Sequence, residues 1–368
     1  VVIARLRRWL PLTAIVPLLA DVVLILTWGR QLGWGVVAVV AVVLAAAALV
    51  AVHHAEVVAH RVGEPFGSLV LALAVTVIEV ALIVTMMTSG GPGSFSLARD
   101  TVFAAAMITM NGIVGLSLLL GTVRYGSALF NPEGSGAALA CVVTLATLSL
   151  VLPTFTTSRP GPEFSAIQLT FAAMASLVVY GVFVFTQTIR HRDFFLPVTS
   201  AGESVIAVEE AHAKPPSLGR TLASLALLIL ALIAVVGLAK VESPAIETGV
   251  RAAGFPHAVV GVVIALLVLV PETVAAVRSA LRRRIQISLN LAYGSALASI
   301  GLTIPVIALA SRWLPGPLLL GLQPSQMVLL ALTSVVSVLT VVPGRATRLQ
   351  GTLHLVLLAA FLLLAINP

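Results

Sequence analysis

Two acidic residues stand where acids are costly. Glu79 lies in FGSLVLALAVTVIEVALIVTMM (66–87) and Glu272 in PHAVVGVVIALLVLVPETVAAV (256–277), each apolar and long enough to cross a bilayer. Each acid sits about 13 to 16 residues into its segment, roughly 20–24 Å along a helix. A carboxylate at that depth costs several kcal/mol and is by default part of an ion or proton path. Two carboxylates can neutralise a divalent cation, and both can take protons when it leaves. Burial and a like-charged neighbour both favour the protonated form of an empty pair. Competition between protons and a cation for the same oxygens then couples the two flows in opposite directions.

The elements that must carry these acids follow from composition. With 59% hydrophobic residues, 10% charged and a mean hydropathy of +1.12, the chain has no polar surface for a soluble domain and reads as an integral membrane protein. Backbone groups in lipid must bond internally, which leaves helices or closed barrels. The apolar runs are near 20 residues and do not alternate with period two, so they predict helices. Eleven are expected, at about 10–29, 33–53, 66–89, 101–123, 136–155, 165–189, 220–240, 256–279, 285–311, 324–342 and 350–366.

Lys and Arg fall 15 on one side of this ladder and six on the other. By the positive-inside rule the N-terminus faces the cytoplasm and the C-terminus the outside. The +7 net charge is therefore a topology signal, and no nucleic-acid partner is expected. RLRRWL and the apolar run after it read as an uncleaved first helix, since Asp21 interrupts the run and no small-residue cleavage site follows.

The longest polar stretch (191–220) divides the ladder into a leading helix (1–32), five helices (33–190), a cytosolic linker (191–219) and five more helices (220–368). Five is odd, so two homologous units must enter the membrane in opposite senses, the inverted-repeat plan of many secondary transporters. Glu79 and Glu272 both fall in the second helix of their unit. Each is followed by a helix rich in small and polar residues, AAAMITMNGIVG (104–115) and SLNLAYGSALASIG (288–301). The expected fold is all-α and polytopic, with the two acids meeting near the midplane. A hard cation bridging them would hold their oxygens within ~5 Å of each other.

The strings RVGEPFGSLVLALAVTVIEV (61–80), RDTVFAAAMITMNGIVGLSLLLG (99–121) and PETVAAVRSALRRRIQISLNLAYGSALASIGLTIP (271–305) resemble the two alpha-repeats of the calcium/cation antiporter superfamily. They are most similar to its bacterial calcium–proton antiporter branch, which implies a bacterial inner membrane as the location. The resemblance implies Ca2+/H+ exchange by alternating access, with Glu79 and Glu272 as the essential acids. It further implies that Asn111, Ser295 and Ser299 supply amide and hydroxyl oxygens to the ion. Where exchanger relatives carry Gly-Asn-x-x-Glu, this chain has TVIE and LVPE. Pro271 removes a backbone donor beside Glu272 and can free a carbonyl there, and Thr76 is a weaker counterpart beside Glu79.

Other polar residues carry weaker signals. Asp21 has no repeat partner, and Glu56 and Glu64 are candidates for a cytosolic mouth. His53, His54 and His60 lack the HExxH order of a metal site. Glu203, Glu209 and Glu210 in the linker read as solvated, Arg282–Arg284 as an anchor to anionic lipid, and Cys141 as a packing residue. Without a nucleophile elbow or phosphate loop, no enzyme is indicated. No resident cofactor is expected, since Ca2+ and protons are substrates. Exchange of Na+ or K+ for protons at the same site is the alternative, and a cation channel a more distant one. Nothing in the sequence sets an oligomeric state.

Overall fold

A computed structural model describes residues 12–63, 66–89, 93–198, 216–314 and 316–368, with the side chains of 66–69, 71 and 89 left aside. Among the described residues, eleven long helices stand at the eleven expected places. They are α1 (Leu12–Thr27), α2 (Trp34–Val62), α3 (Phe66–Ser89), α4 (Ser94–Tyr125), α5 (Pro132–Thr154), α6 (Ala166–Arg190), α7 (Leu218–Ala252), α8 (Ala258–Leu281), α9 (Ile285–Ala310), α10 (Pro324–Val341) and α11 (Arg348–Ile366). Nine of these, among the described residues, are long and apolar enough to span a membrane. The other two, α1 and α3, hold shorter apolar stretches.

Two helices run further than their apolar stretches predict. Helix α2 continues past residue 53 to Val62, and α7 past residue 240 to Ala252. The polar continuations, HHAEVVAH (53–60) and VESPAIETGV (241–250), contain the helix formers Ala and Glu and mix buried side chains (His54, Glu242, Ser243) with exposed ones (Glu56). Their ends are chemically matched. Gly63 follows α2 with φ 75°, Gly254 follows α7 with φ 73°, and a proline stands two residues later in each case. A left-handed glycine followed by proline stops a helix firmly.

The chain forms two compact units, each drawing helices from both halves of the sequence. The first contains α1, α2, α3 and α7, with α7 packed along α2 and against α1 and α3. The second contains α4, α5, α6 and α8–α11. Its centre is the almost wholly buried α4 together with α9, which packs on α4, α5, α6 and α8.

Within the second unit the loops are cross-linked in a reciprocal way. Residues 128–129, after α4, pair antiparallel with 345–346, after α10. Glu163, after α5, bridges Leu319, after α9. Exchanging the two five-helix halves converts one bridge into the other, a pattern consistent with an inverted repeat.

Candidate functional site

Glu79 lies in the first unit, buried on α3 with 3% of its surface exposed. Thr76 sits one turn earlier on the same helix, also buried, and its hydroxyl has no hydrogen-bond partner among the described residues. Spacing of three residues puts the two oxygens on one face. A hydroxyl held dry beside a carboxylate is a suitable hard-cation ligand.

Glu272, Asn111, Ser295 and Ser299 lie in the second unit, on three mutually packed helices, α8, α4 and α9. Glu272 is half-buried on α8, directly after Pro271, and the helix runs through that proline. Pro271 cannot donate to the carbonyl four residues before it. Thr273 Oγ1 meanwhile donates to the Leu269 carbonyl at 2.7 Å. Ser295 is half-buried and Ser299 buried, one turn apart on α9.

Asn111 is fully buried and belongs to a π-helical stretch, Ile108–Ile113, inside α4. Such bulges break the regular ladder and often mark functional positions. Its Nδ2 donates to Thr333 Oγ1 at 3.0 Å, and its Oδ1 lies 3.1 Å from His354 Nδ1. His354 Nε2 in turn lies 3.2 Å from Thr340 Oγ1. All four side chains are buried, and they tie α4 to α10 and α11. His354 was legible as the single ionisable residue of its apolar span, TLHLVLL, but nothing in the sequence placed it beside Asn111.

A second buried polar group stands at the start of α4. Arg99, read as one of the exposed cations that set topology, is only 6% exposed, and Asp100 is 4%. Arg99 Nη2 and Nε each lie 2.8 Å from Asp100 Oδ1, and Ser96 Oγ donates to Asp100 Oδ2 at 2.8 Å. Arg99 Nη1 donates to the Gly321 carbonyl. The pair lines a cavity of about 200 Å³ bordered by Phe103, Val262, Gln326 and Phe361.

The weaker candidates separate. His54 is buried on α2 and hydrogen-bonds through Nε2 to the Thr13 carbonyl on α1 at 2.9 Å. Glu56 is exposed. Asp21 is half-buried on α1, and its Oδ2 is buried without a hydrogen-bond partner among the described residues. Cys141 is half-buried on α5. Arg283 and Arg124 both stack on the Tyr125 ring at 5.6 Å. Glu64, Glu203, Glu209 and Glu210 lie outside the described residues. Among the described residues, no three His, Cys, Asp or Glu side chains converge as a metal cluster.

Buried oxygens that the sequence did not single out include the hydroxyls of Tyr293, Thr101, Thr303 and Ser337 in the second unit and Glu242 Oε1 in the first, all without hydrogen-bond partners among the described residues. Buried hydroxyls are seldom left so.

The family model for sodium/calcium exchanger protein matches residues 32–189 and 223–367. The chain belongs to that family. The two matched stretches span α2–α6 and α7–α11. This family member is 49% identical over 329 residues to the putative ionic transporter y4hA of Sinorhizobium fredii (strain NBRC 101917 / NGR234), covering 88% of this chain and 87% of that protein. It is 35% identical over 353 residues to the sodium-potassium/proton antiporter ChaA of Escherichia coli (strain K12), covering 95% and 94%. Its fold matches the crystal structure of the H+/Ca2+ exchanger CAX with a TM-score of 0.71 over 95% of this chain and 86% of that one, at 15% identity. The family is one of ion transporters, and this member is an integral membrane protein with the exchanger fold.

Proposed function

We propose that this exchanger moves Ca2+ one way and protons the other by alternating access, with Glu79 and Glu272 holding the cation or protons in turn. The observation that carries the reading is one acid in the middle of each of two apolar helices, α3 and α8, each second in its five-helix half, in a chain of the exchanger family. Two carboxylates supply the charge a divalent ion needs, and hydroxyl and amide oxygens complete its preferred set of about six to eight. Thr76 beside Glu79, and Asn111, Ser295 and Ser299 in the second unit, are the proposed oxygen donors. The ion enters as the protons leave, so net coupling needs no further component. The proposed orientation keeps the N-terminus in the cytoplasm.

A second reading is favoured by one observation. The relative at 35% identity over 95% of this chain is named a sodium-potassium/proton antiporter. A monovalent cation could use the same carboxylates and leave one proton in place. Reconstitution into proteoliposomes carrying an acidic interior separates the readings. Under the Ca2+ reading, micromolar external Ca2+ dissipates the pH gradient while Na+ and K+ at the same ionic strength do not. Dissipation by Na+ or K+ alone would establish the second reading instead.

A further inference from the structure

A groove runs along α7 in the first unit. Its deeper part, about 580 Å³, is apolar throughout and lies between Leu24, Ile25 and Trp28 on one side and Leu232, Ile233 and Val236 on the other. Gly237 forms its floor, packed closely against the Leu24 side chain. One to three turns further along α7 the lining changes character. Arg30, Gln31 and Trp34 face Val241 and Pro244 around a second hollow of about 400 Å³. Lys240 lies between the two, its Nζ 5.3 Å from the centre of the Trp28 ring.

The change of chemistry occurs at the depth where a bilayer changes. Lys240 is 22 residues into α7, about 33 Å along the helix, close to the thickness of a hydrocarbon core. The exposed Trp28 and Trp34 are side chains that favour the interfacial zone. Neither Arg30 nor Lys240 is ion-paired among the described residues, and no acid lines either hollow. Stacking on Trp28 holds the Lys240 ammonium over the boundary between the two. The result is a cationic, amide-bearing mouth that neighbours an apolar slot along α7.

We propose that this groove binds one anionic phospholipid, its headgroup phosphate held by Arg30 and Lys240 and one acyl chain lying in the slot beside Gly237. The charge distribution assigns this mouth to the outer leaflet. Two cations without an ion pair among the described residues, with no acid lining either hollow, select a net-negative headgroup over a zwitterionic one, and the wholly apolar slot selects a lipid over a free phosphate. The lipid would bridge α1 and α7, fastening the leading helix to the long helix of the second half.

The test uses the full chain in detergent, titrated with phosphatidylglycerol, with phosphatidylcholine of the same acyl chains, or with inorganic phosphate. Native mass spectrometry should retain one phosphatidylglycerol per chain, and the thermal midpoint should rise with that lipid only. In Arg30→Gln/Lys240→Gln, retention should fall at least tenfold and the thermal shift should vanish. Ile233→Trp, which fills the slot and leaves both charges, should also lose the lipid. Lys240→Arg should keep it, a control that separates lost binding from damaged folding. The proposal is overturned if phosphatidylcholine stabilises equally or inorganic phosphate reproduces the shift. It is equally overturned if the double variant keeps the lipid, or if the groove proves to be filled by a second copy of this chain.

Discussion

The imidazole Nδ1 of His354 lies 3.1 Å from the carboxamide oxygen of Asn111, 243 residues away in sequence. Two glycines make the meeting possible. A Cβ on Gly351 would stand 2.6 Å from the Leu119 backbone nitrogen, and one on Gly115 would stand 3.0 Å from the His354 Cβ. Without side chains there, α4 and α11 approach closely enough for the polar groups to touch, as small residues commonly allow in membranes. A neutral His354 with its proton on Nδ1 donates to Asn111, which spends its own amide proton on Thr333. The carboxamide is thereby fixed in one orientation, because a flip would set donor against donor.

His354→Ala should therefore cost more than a lost contact. It leaves the buried Asn111 oxygen without its donor, a penalty of about 1–3 kcal/mol. His354→Gln, which can still donate, should lose less. Thermal unfolding of the purified variants in one detergent measures both, and equal stability of His354→Ala and the parent would contradict the assignment.

The Arg99–Asp100 pair makes a prediction of unusual sign. Asp100→Ala strands a buried guanidinium and should destabilise by about 3–5 kcal/mol. Removing both charges with Arg99→Met/Asp100→Leu should recover part of that loss, because no uncompensated charge remains. Denaturation that ranks the double variant below Asp100→Ala would contradict the stranded-charge account.

The proposed site also fixes the direction of pH dependence. Cation binding needs deprotonated carboxylates, and protons occupy the same oxygens as pH falls. Apparent Ca2+ affinity should then decrease from alkaline to mildly acid pH, with more than one proton displaced per ion. Calorimetric titrations at several pH values read this directly. Binding that is flat across the range would exclude direct competition.

Much of the fold was legible because apolar length is a strong signal in a membrane chain. All eleven helices stand where the hydropathy pattern puts them, and Glu79 emerges buried on its helix. What was not legible depends on tertiary contact. Arg99 looked like a loop cation, since nothing in RD says that the neighbouring aspartate and the Gly321 carbonyl will bury it. The extensions of α2 and α7 were missed because their polar residues resemble loops, although E-x6-G-x-P recurs at 56–65 and 247–256. The π stretch around Asn111 had only a faint trace, the polar TMNG inside an apolar run.

The central claim is exchange of cation for protons through two carboxylates. It is tested most directly by measuring Ca2+ flux and proton flux together in proteoliposomes containing the parent chain, Glu79→Gln or Glu272→Gln. The parent should move protons against Ca2+ in a fixed ratio, and each variant, correctly inserted, should move neither. Ca2+ flux without proton movement in the parent, or normal coupled exchange in either variant, would contradict the account.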